Sequence, residues 1–239
     1  MTILRSVYWY FFFVTSLLAQ TPRLIMAKGK QHSMDPKEFD KYVYSVASNW
    51  ARGNAVRSGS QFFVEGIENI PTDEAVVFVS NHQGDFDIAV FLAYIPVPHG
   101  YVAKIEIKKV PLLRDWMNYM RCVFIDRKSI RQTAGALIEG VKTLQYGHSI
   151  VLFPEGTRSK SATLGEFKAA SFKLATKANV PIVPVTINGT YKILEANKGL
   201  IKPADVYVKV HPLIRPDEVS DIKKLPEMVR AIIEEGLNE

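Results

Sequence analysis

Two short polar runs, each directly after an apolar and β-branched run, hold the side chains best suited to chemistry. In the first, Ser80-Asn81-His82-Gln83-Gly84-Asp85-Phe86-Asp87 follows Ala75–Val79 and leads into a helical pattern. A separation of five residues does not put His82 and Asp87 on one helix face. With His82 in the loop and Asp87 in the first turn of the helix, the chain can fold the imidazole back over the carboxylate. Gly84 permits the tight turn this needs. Such a pair is a general base: the carboxylate fixes the tautomer and stabilises the imidazolium that forms. The same residues also fit a structural role, with Asp85 as an N-cap and Asp87 complementing the helix dipole.

The second run, Phe153-Pro154-Glu155-Gly156-Thr157-Arg158-Ser159, follows the apolar Ile150–Phe153. Gly156 lets backbone amides approach an anion, Thr157 and Ser159 offer hydroxyls, and Arg158 offers a charged fork suited to phosphate. Lys160 adds a further positive charge. A turn containing Pro, Gly and polar residues is also an ordinary turn. Two more cations stand at the ends of apolar runs: Lys104 closes Tyr101–Lys104, and Arg127 follows Cys122–Asp126. Cationic strand ends around one histidine loop favour an anionic pocket, although such residues also serve as solvated rims.

The elements that must position these loops follow from the pattern. Residues 62–64, 75–79, 101–105, 122–126, 150–153, 182–187 and 206–210 read as strands. Residues 88–94, 130–146 and 168–178 read as helices, the longest capped by Ser129 and ended by Gly147. A last helix begins near Pro226, with Val229, Ile232 and Ile233 on one face. Alternating strands and helices predict an α/β fold with a mixed, mostly parallel sheet covered by helices. Loops at strand ends carry the ligand chemistry of such sheets.

A chain of 239 residues with 47% hydrophobic and 23% charged residues is that of a folded protein with one sizeable core. The net charge of +6 points to an anionic partner: nucleic acid, a membrane surface or a phosphorylated substrate. Nucleic acid is the weakest of these, because no recognised binding motif accompanies the charge. The one cysteine, Cys122, excludes an intrachain disulfide. Its apolar run reads as a buried strand, so it is expected to pack rather than react.

The start of the chain is its most apolar part. Val7–Ala19 carries no charge and would cover about 20 Å as a helix, against a hydrocarbon core of ~30 Å, too short to span comfortably. A second segment begins with Asp35 as N-cap and Pro36 at the first helical position, and repeats Phe39, Val43, Val46 and Trp50 at helical spacing. Residues 1–57 are therefore expected to form a two-helix membrane-associating appendage lying in one leaflet, and residues 58–239 the catalytic domain. Arg5 and the short apolar run also resemble a secretory signal peptide.

In order along the chain, four blocks resemble the glycerolipid acyltransferases, in particular the 1-acyl-sn-glycerol-3-phosphate (lysophosphatidic acid) acyltransferases. They are Asn81-His82-x-x-x-x-Asp87, Val123-Phe124-Ile125-Asp126-Arg127, Phe153-Pro154-Glu155-Gly156-Thr157-Arg158-Ser159 and Val180-Pro181-Ile182-Val183-Pro184-Val185. The resemblance implies direct acyl transfer from an acyl thioester, acyl-ACP or acyl-CoA, to the sn-2 hydroxyl of lysophosphatidic acid, giving phosphatidic acid. It implies His82 as base with Asp87 as its partner. Lys104, Arg127 and Arg158 would hold the acceptor phosphate, and Glu155, Gly156 and Thr157 would shape the acceptor site. Membrane lipids would be the other partner, at the cytoplasmic face of the inner membrane, with a monotopic attachment. Another acceptor, such as glycerol-3-phosphate or a different lysolipid, and a non-enzymatic lipid-binding role are the alternatives. Where a glycine often precedes the second block, this chain has Arg121-Cys122, which bears on the shape of the acceptor pocket.

The chemistry is consistent with those roles. A hydroxyl is a weak nucleophile that needs a base, and an imidazole of ordinary pKa about 6.5 suits neutral pH. A thiol of pKa about 8.5 leaves with little acid help. No Gly-x-Ser-x-Gly elbow argues for a serine hydrolase, and no cluster of metal ligands surrounds the histidine motif, so neither a metal nor another cofactor is expected.

Overall fold

A computed structural model describes residues 1–126 and 128–238. Seven strands form one sheet: β1 (Gln61–Glu65), β2 (Val77–Ser80), β3 (His99–Lys104), β4 (Val123–Ile125), β5 (Ser149–Leu152), β6 (Ile182–Asn188) and β7 (Asp205–Val210). Their order across the sheet is β1-β7-β6-β2-β5-β3-β4. All neighbouring pairs are parallel except β6 and β7. The mixed, mostly parallel sheet expected from the sequence is thus the one observed.

The central strands β2 and β5 are buried at every position because helices cover both faces. On one face lie α1 (Thr2–Leu18), α2 (Thr21–Lys30), α3 (Pro36–Arg57), α4 (Phe86–Tyr94) and α5 (Pro111–Tyr119). On the other lie α6 (Ile130–Gln145), α7 (Lys173–Ala178) and α8 (Leu225–Asn238). Alternate residues entering and along β2 serve the two cores: Val76, just before the strand, and Phe78 join the first, Val77 and Val79 the second. Each fully buried side chain of this size contributes roughly 1.5–3 kcal/mol.

Helix ends follow local chemistry. Asp35 accepts hydrogen bonds from the N–H groups of Lys37 and Glu38 at 2.9 and 3.2 Å, with Pro36 at the first helical position. Ser129 accepts from the N–H of Gln132 at 3.3 Å and starts α6. Asp85 differs from expectation. Its backbone is already helical and its side chain caps nothing, because it turns to Arg158 instead.

α3 belongs to the same core as the sheet. Phe39, Val43, Ala47 and Ala51 are buried, and the helix runs along α4. α1 lies beside α3, tied to it by the Trp9 indole N–H to the Asn54 carbonyl (2.9 Å), and is tied to the segment before β7 by the Tyr10 hydroxyl to the Gly199 carbonyl (2.9 Å). Its other face, with Ile3, Leu4, Val7, Tyr8, Phe11, Val14 and Leu18, is exposed. α1 and α2 together make a bent helical stretch, Thr2–Lys30, that is long and apolar enough to cross a bilayer by length and composition alone. This is longer than the apolar run read from the sequence, because the helix continues past Ala19 through a more polar turn.

Arg121 adopts a left-handed backbone (φ 54°), a conformation natural to glycine. An arginine is held there by a paired contact with Asp40 of α3 (2.9 and 3.0 Å) and by lying over the Tyr146 ring at 4.2 Å. It stands at the start of β4, away from the loops that carry His82 and Arg158. Arg121 is not among the residues that line the cleft shared by His82 and Arg158. Cys122 beside it is buried, and burial pushes its thiol up to about 12, so it packs as expected.

Candidate active site

The strand order explains how distant polar runs meet. β2 lies between β5 and β6, parallel to both, with Val79 opposite Leu152 on one side and Pro184 on the other. The loops leaving the carboxyl ends of these three strands are consequently neighbours. β2 contributes His82, β5 contributes Glu155 and Arg158, and β6 contributes Gly189 and Thr190. β3, the next strand beyond β5, contributes Lys104.

His82 Nδ1 lies 2.7 Å from Asp87 Oδ2. The Asp87 side chain is fully buried, whereas that of His82 is 17% exposed. Asp87 Oδ2 also accepts the N–H groups of Gln83 (2.6 Å) and Gly84 (2.9 Å), so the turn closes on the carboxylate as expected. Asp87 Oδ1 accepts the hydroxyl of Thr190 at 2.5 Å. Four donors converge on one buried carboxylate and fix its plane. The imidazole lies flat on Phe153, with centroids 4.1 Å apart and planes at 18°. Nδ1 is thereby committed to Asp87, and Nε2 is the nitrogen left for a reactant in the cleft that His82 lines.

Glu155 lies behind the cleft. Its two oxygens accept the N–H of His82 (2.7 Å) and of Gly165 (3.0 Å), so it braces the histidine loop from below. Burial is the largest influence on this carboxyl and raises it above the ordinary range, opposed by those two hydrogen bonds. The two motif loops are also joined through backbone: the Ser159 N–H donates to the His82 carbonyl (2.8 Å) and the Lys160 N–H to that of Gln83 (3.1 Å). Gly156, with φ 74°, makes the left-handed turn on the cleft side, where Thr157 also sits.

The cleft holds about 1200 Å³, above the ~300–1,000 Å³ of most small-molecule sites and enough for more than one substrate. Its polar part carries His82, Asp85, Lys104, Thr157, Arg158 and Lys160. Its apolar part is walled by Trp9, Phe13, Trp50, Leu113, Trp116 and Met117. Lys104 and Arg158 therefore share a cleft with the histidine, as the cationic strand ends suggested. Arg127 lies outside the described residues. A cleft lined both by cations and by many apolar side chains fits an amphiphile with an anionic headgroup.

Two contributors escaped the sequence reading. Thr190 completes the hydrogen bonding of Asp87, and Glu195 contacts Arg158. Both come from the segment after β6, more than 100 residues beyond the histidine motif. A Gly-Thr pair after a strand was the single available signal, and it says nothing about which loop it meets.

The acyltransferase family model matches residues 61–188, more than half the chain and all four sequence blocks. The chain belongs to the acyltransferase family. Among known members, it is 33% identical over 167 residues to the 1-acyl-sn-glycerol-3-phosphate acyltransferase of Borreliella burgdorferi, covering 70% of this chain and 67% of that one. It is 32% identical over 248 residues to the probable 1-acyl-sn-glycerol-3-phosphate acyltransferase of Mycoplasma genitalium, covering 94% and 87%. The crystal structure of the 1-acyl-sn-glycerophosphate (LPA) acyltransferase PlsC from Thermotoga maritima superimposes with a TM-score of 0.87 at 28% identity. That match covers 99% of this acyltransferase and 95% of PlsC.

Proposed function

We propose that this acyltransferase moves a fatty acyl group from an acyl thioester to the sn-2 hydroxyl of 1-acyl-sn-glycerol-3-phosphate, forming phosphatidic acid. The observation that carries the reading is the pairing of His82 with fully buried Asp87, 2.7 Å apart, at the polar end of a cleft with cations beside it and apolar walls beyond. The names of the relatives agree with this acceptor.

In the step we envisage, His82 Nε2 removes the hydroxyl proton as the oxygen attacks the thioester carbonyl. Asp87 stabilises the imidazolium through Nδ1–H. The tetrahedral intermediate collapses with loss of the thiolate, which takes the proton back from the imidazolium. Arg158 and Lys104 hold the acceptor phosphate, which fixes the distance between its hydroxyl and the base. Glu155 keeps the His82 loop in place, and Gly156 and Thr157 form the near wall. The step needs no metal or organic cofactor, and the donor is either acyl-ACP or acyl-CoA.

The exposed apolar face of α1 supports docking on a lipid surface, on the cytoplasmic side where activated thioesters are made. Lysophosphatidic acid then reaches the cleft from the membrane that holds it. The test is turnover of the purified protein with one labelled acyl thioester and a panel of lysolipids. Lysophosphatidic acid is expected to be the preferred acceptor, and His82→Ala is expected to abolish transfer while leaving vesicle binding intact. Equal turnover by the variant would refute the assignment of the base.

A further inference from the structure

The segment between β6 and β7, residues 189–204, ties the catalytic dyad to α1. Its two ends meet: at Gly189, with φ 111°, an added Cβ would lie 2.3 Å from the Asp205 carbonyl oxygen. Within it, the Gly199 N–H donates to the Leu194 carbonyl (3.1 Å) and the Lys202 N–H to that of Ile193 (3.0 Å). Ile193 and Ile201 are fully buried and join the core on the α3 side of the sheet. A loop closed on itself and plugged by two isoleucines shifts as a unit, because a close-packed interior transmits displacement rather than absorbing it.

One side of this loop faces the reaction. The Thr190 hydroxyl donates to Asp87 Oδ1, Glu195 Oε1 accepts the Asp85 N–H (2.8 Å), and Leu194 lines the cleft. The other side faces α1. The Ile201 N–H donates to Ser6 Oγ (2.8 Å), and the Gly199 carbonyl accepts the Tyr10 hydroxyl (2.9 Å). Burial, followed by the Asp85 and Glu195 carboxylates, pushes the Tyr10 phenol above its ordinary range, as expected of a helix lying beside both loops. Ser6 is 4% exposed and does not line the cleft, so it reaches the chemistry through its neighbours alone. Its own proton is spent on the Thr2 carbonyl (2.8 Å), which leaves its lone pairs for the loop. Without that oxygen the Ile201 N–H is a buried donor with no partner, and the loop must shift to satisfy it.

We propose, on the reading of His82 as the base, that Ser6 and Tyr10 are positioning residues for the dyad: through residues 189–204 they fix where the Thr190 hydroxyl meets Asp87. α1 thereby supports the chemistry itself, a role separate from any contact it makes with lipid. A misplacement of about 1 Å can cost roughly 100-fold in rate, and these two ties need to prevent only part of that.

The test is Ser6→Ala, with kcat measured at saturating lysophosphatidic acid and acyl thioester in detergent micelles, where docking on a bilayer plays no part. A fall of about fivefold is expected, smaller than the roughly tenfold fall for Thr190→Val, because one of the two ties to α1 remains. Ser6→Ala combined with Thr190→Val is expected to fall about tenfold, no further than Thr190→Val alone, since a displaced loop then has no hydroxyl to misplace. A general loosening of the fold would instead multiply the two losses to about fiftyfold. Multiplied losses, or a Ser6→Ala kcat equal to the parent's, overturn the proposal. If Ser6→Ala does not fold, Tyr10→Phe deletes the other hydroxyl and carries the same comparison with Thr190→Val. Parental turnover by His82→Ala defeats the base, and this role with it. An inactive His82→Ala beside an unaltered Ser6→Ala defeats the positioning role alone.

Discussion

Asp87→Asn offers a clean test of the dyad because the structure dictates which way the new amide must face. The N–H groups of Gln83 and Gly84 both point at Oδ2. An NH2 group there would oppose two donors, so the carbonyl oxygen of the asparagine must take that place and the amide nitrogen must face Thr190, whose hydroxyl can accept. His82 Nδ1–H then keeps an oxygen acceptor, and the tautomer is retained. The substitution thus removes charge and little else. A unit charge about 4 Å from the imidazolium is worth about 4 kcal/mol at an effective dielectric of 20. The remaining neutral hydrogen bond recovers about 1 kcal/mol of that. A net loss of about 3 kcal/mol corresponds to a fall in kcat of roughly 150-fold. The KM values for both substrates should hardly change, since neither touches Asp87. Steady-state kinetics with lysophosphatidic acid and one acyl thioester, alongside a thermal melt, makes the measurement. A variant within about threefold of the parent would show that the buried charge does not assist the base, and the electrostatic reasoning would fail.

Two further outcomes are expected. Thr190→Val should lower kcat by roughly tenfold, the worth of one hydrogen bond to a charged group of about 1.5 kcal/mol, and Thr190→Ser should restore it; loss with both substitutions would mean that packing, not the hydroxyl, matters. Val7→Asp combined with Phe11→Asp should release the protein from vesicles in flotation, since each exposed apolar side chain on α1 contributes roughly 2 kcal/mol when buried in lipid; undiminished flotation would locate membrane contact elsewhere.

The parts of this fold legible in the sequence are those whose cause is local. The strands stood out because central strands such as β2 and β5, covered on both sides, are buried at every position and apolar at all but one. Ser129 and Asp35 announced their helices because capping acts over two or three residues. The His82–Asp87 pair was readable for the same reason, since one turn joins its members. α5 was not read. It spans nine residues between Pro111 and Tyr119, and it buries only Trp116 and Met117, too few to establish a period. The stretch read as a helix over 168–178 is a 3-10 turn over Ala169–Phe172 followed by α7, because its apolar residues do not keep one spacing. Thr190 and Glu195 were invisible for a deeper reason. Their partners are set by β6 lying beside β2 in the sheet, a fact of pairing that no short window of residues contains.

α1 is a partition one helix thick. Trp9, Phe13 and Leu17 line the cleft from within, while Val7, Phe11 and Leu18 look outward. A lipid surface against that outer side would let a fatty tail move between two oily neighbours, bilayer and cleft, without the large penalty for wetting a long hydrocarbon. Only the charged headgroup and the thioester's carrier would then have to meet water.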